Sequence, residues 1–328
     1  MSQATSPGTT PQPTTQPINQ ADRPYVWIDG QMMPKSQAKI SVFDHGLLYG
    51  DGCFEGIRVY KGRIFKTQSH LDRIYRNAER LLMGKQDACQ GQPDGFVYTK
   101  DQMRDIMYQC IEANGRVDGY IRLIFTRGVG TLGLHPFQCP RPSVICIADQ
   151  ITLYPEQLYH DGMKVIVAKR PRTPAVCLDP QLKSLNYLNN ILAKTEAIEA
   201  GVLEAIMISY SDDPAKQIVG ECTGDNLFMI KDNVVYTSPL EIPMLDGITR
   251  AFVINTLCPA CGVEVVERPL TLSDVLAADE IFLTGSAAEM IAVRQIDDAV
   301  ISDGEGPLTK KLRAEFKRIV NSDDIPED

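Results

Sequence analysis

Residues 178–193 read LDPQLKSLNYLNNILA, and Asp179 and Lys183 are the only charges in that stretch. A charged side chain rarely goes fully inside unless it is paired or has a function. Ser184 suits an N-cap for a helix over LNYLNNILAKTEAIEAG, with Leu185, Leu188, Leu192 and Ile198 as its apolar stripe and Gly201 as its end. Lys183 would then face the positive end of the helix dipole, between Leu182 and Leu185. Both settings favour the neutral amine that a Schiff-base lysine needs. The bland alternative is a lysine that snorkels to solvent, and the segment read alone suits that better.

The totals bound the answer. The 328 residues suffice for two domains of roughly 150 residues each. With 44% hydrophobic and 23% charged residues, the chain has material for substantial cores. A net charge of −9 argues against a nucleic-acid or anionic-membrane binder, which would need basic patches. No run approaches the ~18 apolar residues of a spanning helix. Residues 1–23 are rich in Ser, Thr, Pro and Gln and lack an apolar core, which fits a disordered tail better than a signal peptide. Nine scattered cysteines suit reduced thiols and a cytoplasmic location. Cys258-Pro-Ala-Cys261 sits between a helical pattern and a strand pattern, with Pro259 and Gly262 as stop signals. It reads as a helix end rather than a redox pair.

Along the chain, YVWIDGQMMPK predicts two strands around an Asp-Gly turn, and GCFEGIRVYKGRIF predicts a longer hairpin turning at Lys61-Gly62. SHLDRIYRNAERLLMG and TKDQMRDIMYQCIEANG predict amphipathic helices capped by Gly84 and Gly115. GYIRLIFTRGVG and SVICIADQITL predict strands. Residues 24–149 form one small α/β unit and 150–157 a linker. Residues 158–328 form a larger α/β unit, in which strands and helices alternate around the hairpin DNLFMIKDNVVYTS. The cleft between two such units is the default place for a site.

Several patterns could carry chemistry. Gly247, Ile248 and Thr249 open a helix whose first N–H groups could hold an anion, and Gly285-Ser286-Ala287 ends a strand in a second such turn. Many helices open this way only to cap themselves. Strand alternation puts Phe54, Gly56, Arg58 and Tyr60 on one face, with Cys53, Glu55, Ile57 and Val59 on the other. It likewise groups Tyr120 with Arg122. An arginine beside a glycine and an aromatic could recognise a carboxylate near an apolar pocket, although a half-exposed strand is the commoner cause. Glu221 precedes a Thr-Gly-Asp-Asn turn and could face a basic nitrogen or merely decorate a loop. The four histidines show no metal-ligand spacing, so no metal is expected. No G-x-S-x-G elbow is present.

Taken in order, VFDHGLLYGDGCFEGIRVY, HLDRIYRNAERL, YIRLIFTRGVGTLGLHP, LKSLNYLNNILAKTEA, GECTGDNLF, LDGITR and EIFLTGSAAEM resemble the class IV (fold-type IV) aminotransferases, and most of all the branched-chain amino acid aminotransferases. The resemblance covers nearly all of the chain after the tail. It implies a two-domain α+β fold whose larger, C-terminal domain is a pseudo-barrel. It also implies pyridoxal 5′-phosphate on Lys183, with its phosphate held by Arg73, Gly247, Ile248, Thr249 and Ser286. Composition alone gives no reason to choose Arg73 over Arg76 or Arg80. Tyr187 would bond the phenolic oxygen and Glu221 would face the pyridine nitrogen. Tyr49, Phe54, Gly56, Arg58, Tyr120 and Arg122 would line the side-chain pocket, and Ala287 would bind the substrate carboxylate.

The implied reaction is transamination between L-Leu, L-Ile or L-Val and 2-oxoglutarate, with small amino and 2-oxo acids as partners and a homodimer or larger homo-oligomer as assembly. Ser286 stands where threonine is common, Asp225 where glutamate is common, and the Lys183-to-Tyr187 spacing is one shorter. The K-S-L-N segment also resembles D-amino acid aminotransferases, and an aminodeoxychorismate lyase would share the cofactor residues. The FEGIR and YIRLI strands resemble the branched-chain pattern. A non-catalytic ligand-binding module is the reading of another class.

Overall fold

The computed structural model describes residues 23–151, 154–213 and 217–322. Residues 1–22 of the expected tail, and 152–153 of the expected linker, lie outside the described residues. The helices are α1 (His45–Tyr49), α2 (Thr67–Arg80), α3 (Lys100–Asn114), α4 (Gln157–Asp161), α5 (Leu188–Glu199), α6 (Ile248–Phe252), α7 (Cys258–Ala260), α8 (Leu272–Leu276) and α9 (Pro307–Val320).

Six strands build the first sheet: β1 (Tyr25–Ile28), β2 (Gln31–Pro34), β3 (Gly52–Tyr60), β4 (Arg63–Ile64), β5 (Gly119–Thr126) and β6 (Ser143–Asp149). Their order is β2-β1-β6-β5-β3-β4, with antiparallel pairing throughout. Both predicted hairpins form. Asp29-Gly30 and Lys61-Gly62 take up the left-handed backbone that a tight two-residue turn requires. One face of the sheet packs under α2 and α3, where Cys53, Ile57, Ile121, Leu123 and Phe125 are fully buried.

The second sheet contains β7 (Met163–Val167), β8 (Glu204–Ile208), β9 (Val219–Cys222), β10 (Asn226–Lys231), β11 (Val234–Thr237), β12 (Val265–Glu267), β13 (Glu280–Gly285), β14 (Glu289–Ile296) and β15 (Ala299–Val300). The path β10-β13-β14-β7-β8-β9 returns to β10 through the pair Asn226–Glu221, so six strands close into a ring. Within the ring, β14 pairs with β7 and β7 with β8 in parallel, and the other pairs are antiparallel. This is the barrel-like larger unit that the resemblance implies.

The structure corrects three local expectations. α2 ends at Arg80 with Leu81 as its cap and Leu82 in left-handed backbone, so Gly84 does not cap it. α5 begins only at Leu188, capped by Tyr187, and Ser184 is not its N-cap. The Lys183 segment instead runs beside β3. Phe54 N–H donates to the Lys183 carbonyl at 3.0 Å and Leu185 N–H to the Gly52 carbonyl at 2.9 Å. Backbone pairing to β3 outcompetes the extra turn of helix, so Lys183 does not stand at a helix end and feels no such dipole. Third, Leu188, Ile191, Leu192 and Ile198 are exposed, while Asn190 is buried and Ala193 and Ala197 pack on β8. The space against Ala205 and Met207 admits only small side chains.

Candidate active site

The first strand sheet, the barrel and the Lys183 segment meet around one cavity of about 330 Å3. Phe54, Gly56, Arg73, Tyr120, Arg122, Lys183, Tyr187, Glu221, Gly247, Ile248, Thr249, Ser286 and Ala287 all line it. Residues far apart in the chain are thus brought together. Two expected residues stand elsewhere. Tyr49 lies on the surface end of α1, where its hydroxyl accepts from Gly133 N–H at 3.1 Å. Arg58 does not line the cavity. Its guanidinium donates to Glu289 at 3.0 Å, because β3 carries it past the cavity rim to the start of β14.

The Lys183 amine projects into the cavity and donates to the Tyr187 hydroxyl at 3.2 Å. It stands 4.8 Å from the centre of the Phe54 ring, which Arg122 also approaches, at 4.6 Å. Contacts of a cation with a ring face are worth about 0.5–2 kcal/mol each. Tyr187 packs edge-on to Phe54 at 5.0 Å. The strand face predicted from alternation therefore forms one wall of the cavity: an aromatic, a glycine and an arginine from the next strand.

Glu221 lies on the floor, in the pair that closes the ring. Its Oε1 accepts from Arg172 Nε at 2.6 Å and its Oε2 from Leu245 N–H at 3.0 Å. Arg172 in turn donates to Asn190 Oδ1 at 3.2 Å, and the Asn190 amide donates to the Thr223 carbonyl at 2.9 Å. Both oxygens of Glu221 are thereby fixed in direction.

One end of the cavity gathers groups that can hold an anion. Arg73 reaches it from α2. α6 opens there after Gly247, with the N–H groups of its first residues lacking partners inside the helix. Gly247 has to be glycine, since a Cβ would come within 1.9 Å of Asn226 Oδ1. A Cβ on Gly285 would likewise meet Asp225 Oδ1 at 2.2 Å, so the chain can turn tightly into Ser286 and Ala287.

Sequence reasoning missed a polar cluster on the barrel side. Tyr154, Lys194, Glu204, Thr223 and Asp225 also line the cavity. The Tyr154 hydroxyl lies 3.0 Å from Asp225 Oδ2 and 3.3 Å from Glu204 Oε2, and it has one hydrogen to give. Burial, then the Glu204 charge, pushes Asp225 up to about 7. A proton on Asp225 relieves the crowding of two carboxylates around one hydroxyl. The paired asparagines at 189–190, polar inside an apolar helix pattern, were the signal available for Asn190; strand-end acids such as Glu204 gave none.

A family model described as "Amino-transferase class IV" matches residues 52–296. A Methanocaldococcus jannaschii protein named "Putative branched-chain-amino-acid aminotransferase" is 45% identical over 295 residues, covering 90% of this chain and 96% of that one. A D-alanine aminotransferase of Bacillus licheniformis is 31% identical over 307 residues, covering 91% and 98%. The solved structure of a T.th. branched-chain amino acid aminotransferase with pyridoxamine 5′-phosphate superposes with a TM-score of 0.81. It is 30% identical and covers 93% of this chain and 95% of that one. A cavity closed by a strand sheet and a six-stranded ring, and a match over most of the chain, lead to one conclusion: the chain belongs to the class IV aminotransferases and has the fold-type IV architecture.

Proposed function

We propose that the protein moves amino groups between the branched-chain L-amino acids Leu, Ile and Val and 2-oxoglutarate, using pyridoxal 5′-phosphate held on Lys183. The observation that carries the reading is the spacing of unlike groups around one cavity. An amine, a doubly anchored carboxylate and an anion cradle face the same 330 Å3 space. The donor set fits the cofactor. Arg73, Gly247, Ile248, Thr249 and Ser286 suit a phosphate, Tyr187 a phenolic oxygen and Glu221 a protonated ring nitrogen. When bound, the cofactor supplies an electron sink for the negative charge left on the substrate's α-carbon.

The residues of the chain do the rest. With the cofactor bound, the Lys183 amine would be the base that takes the substrate's α-proton and the acid that gives it back. The Tyr187 hydroxyl, 3.2 Å away, orients that amine. Phe54, Gly56 and Tyr120 offer an apolar wall to an aliphatic side chain, and Ala287 in its turn takes the substrate carboxylate. Arg122 is the cation for the second carboxylate of the 2-oxoglutarate substrate.

Residues 24–149 and 158–328 serve as the two domains, joined by 150–157. A cytoplasmic homodimer or larger homo-oligomer is the proposed assembly. Exposed Val42, Phe43, Leu47 and Leu48 next to Val129, Leu132 and Leu134 support it, because a lone chain gains nothing from such a patch.

Half-reactions with L-Leu, L-Val, D-Ala and aminodeoxychorismate, followed by loss of the bound aldehyde's absorbance, test the substrate class. The similarity to a D-alanine aminotransferase makes D-amino acids the second reading. A response to D-Ala or aminodeoxychorismate with none to L-Leu or L-Val overturns the first. Lys183→Ala should lower turnover by about 10²- to 10⁴-fold; full turnover in that variant overturns the catalytic assignment.

A further inference from the structure

Alternation along β3 puts Glu55 on the face that packs into the first core, between Cys53 and Ile57, both fully buried. A carboxylate among such neighbours is costly to bury unless it is paired and hydrogen-bonded. Glu55 is fully buried and makes three strong contacts. Oε1 accepts from Arg73 Nε at 2.6 Å, and Oε2 accepts from Arg73 Nη2 at 2.7 Å and from His70 Nδ1 at 2.7 Å. Burial by itself would raise its carboxyl, but the Arg73 charge and the hydrogen bonds from Arg73 and His70 outweigh burial and hold it far below the ordinary range. Burial also lowers His70, and a neutral ring facing an ionised acid donates through Nδ1.

Arg73 is 3% exposed and reaches the anion end of the cavity. A guanidinium has five N–H groups. Glu55 takes Nε–H and one hydrogen of Nη2, and the Asp246 carbonyl takes one hydrogen of Nη1 at 2.6 Å. One hydrogen on Nη1 and one on Nη2 remain for a phosphate, an anion that a guanidinium can meet with two bonds.

Resting on the cofactor reading above, we infer that Glu55 is a positioning residue: it locks the Arg73 guanidinium so that its two remaining hydrogens are presented to the phosphate of the cofactor. His70 steadies Glu55 from the next turn of the same helix that carries Arg73. The α2 helix and β3 are thus coupled through one carboxylate. Without it, Arg73 keeps its charge but loses two of the three bonds that fix its plane.

The test compares two ligands on the cofactor-free full chain. Pyridoxal 5′-phosphate and pyridoxal both react with Lys183, and only the first needs Arg73. Glu55→Gln, which cannot accept from both guanidinium nitrogens through two oxygens, should weaken pyridoxal 5′-phosphate by about 10- to 100-fold, by analogy with the partners that orient metal ligands. Its affinity for pyridoxal should not change. Glu55→Asp keeps the charge but is one methylene shorter, and should fall between Glu55→Gln and the native chain. If Glu55→Gln does not fold, the ligand ratio of Glu55→Asp carries the test alone. Equal losses for both ligands mean a merely structural role and overturn the inference, as does no loss for either. A native chain that binds neither ligand overturns the cofactor reading instead.

Discussion

Arg172 and Glu221 lie joined inside the barrel, with Nε 2.6 Å from Oε1 and side chains only 8% and 6% exposed. Breaking a buried pair by removing one member costs about 3–5 kcal/mol, because the other charge is stranded. Arg172→Met should therefore lower the unfolding free energy by that amount in denaturant titration. Arg172→Met combined with Glu221→Leu should regain most of it while activity stays lost. A single variant as stable as the native chain would show that the pair does not matter to folding.

Arg58 and Glu289 tie the first sheet to the barrel. Glu289 Oε1 accepts from Arg58 at 3.0 Å and from the Tyr60 hydroxyl at 2.8 Å, and Lys317 holds the other oxygen. Burial would raise Glu289, but Lys317 and Arg58 hold it below its ordinary value of 4.5. The folded-state value is depressed, so this stabilisation is present above about pH 4.5 and fades as the pH falls below it. Arg58→Met should cost about 3 kcal/mol and erase part of that acid dependence, with little change in KM for L-Leu. A raised KM at native stability would return Arg58 to the pocket.

Gly56 and Tyr120 touch across neighbouring strands. A Cβ at position 56 would lie 1.7 Å from the Tyr120 oxygen and 2.5 Å from its Cζ. Gly56→Ala must push that ring, which lines the cavity. The expected result is a raised KM for branched substrates with kcat largely kept, since Lys183 and Glu221 are untouched. Steady-state kinetics that match the native enzyme would show the ring to be free to move.

Asp225 should give a pH signature opposite to that of Glu289. Burial and Glu204 raise it from 3.8 to about 7, so between these values the folded chain holds a proton that the unfolded chain has lost. Stability must therefore fall as pH rises across that window and level off above it. Asp225→Asn should remove the slope. Thermal midpoints of both chains, cofactor-free, measured from about pH 4 to pH 8, check this; parallel curves would disprove it.

The parts of the fold legible in the sequence are those with short-range causes. The Asp29-Gly30 turn, the α3 helix with its Thr99–Gln102 capping box and the β10–β11 hairpin follow from local backbone preference. The Lys183 segment misleads because its leucines have helical spacing, yet β3 supplies backbone partners that no local window contains. The same long-range cause hides Arg172, Asn190 and Asp225, whose neighbours come from distant strands. Glu55 is visible but unreadable: alternation places it on the core face, and only the arrival of Arg73 and His70 explains it. Arg58 is on the right face of the right strand, two residues past the cavity.

The closed ring also bears on how the protein behaves in company. Each of its six strands has a hydrogen-bonded neighbour on both sides, so the ring offers few free backbone groups for another chain to pair with. The first sheet is open, and its terminal strands are a four-residue strand ending in Pro34 and a strand of only two residues, which covers just the end of β3. Margins that short, one of them blocked by proline, make poor templates for edge-to-edge growth. Short margins and a closed ring limit the backbone that another chain could pair with, so strand-to-strand growth has few places to start.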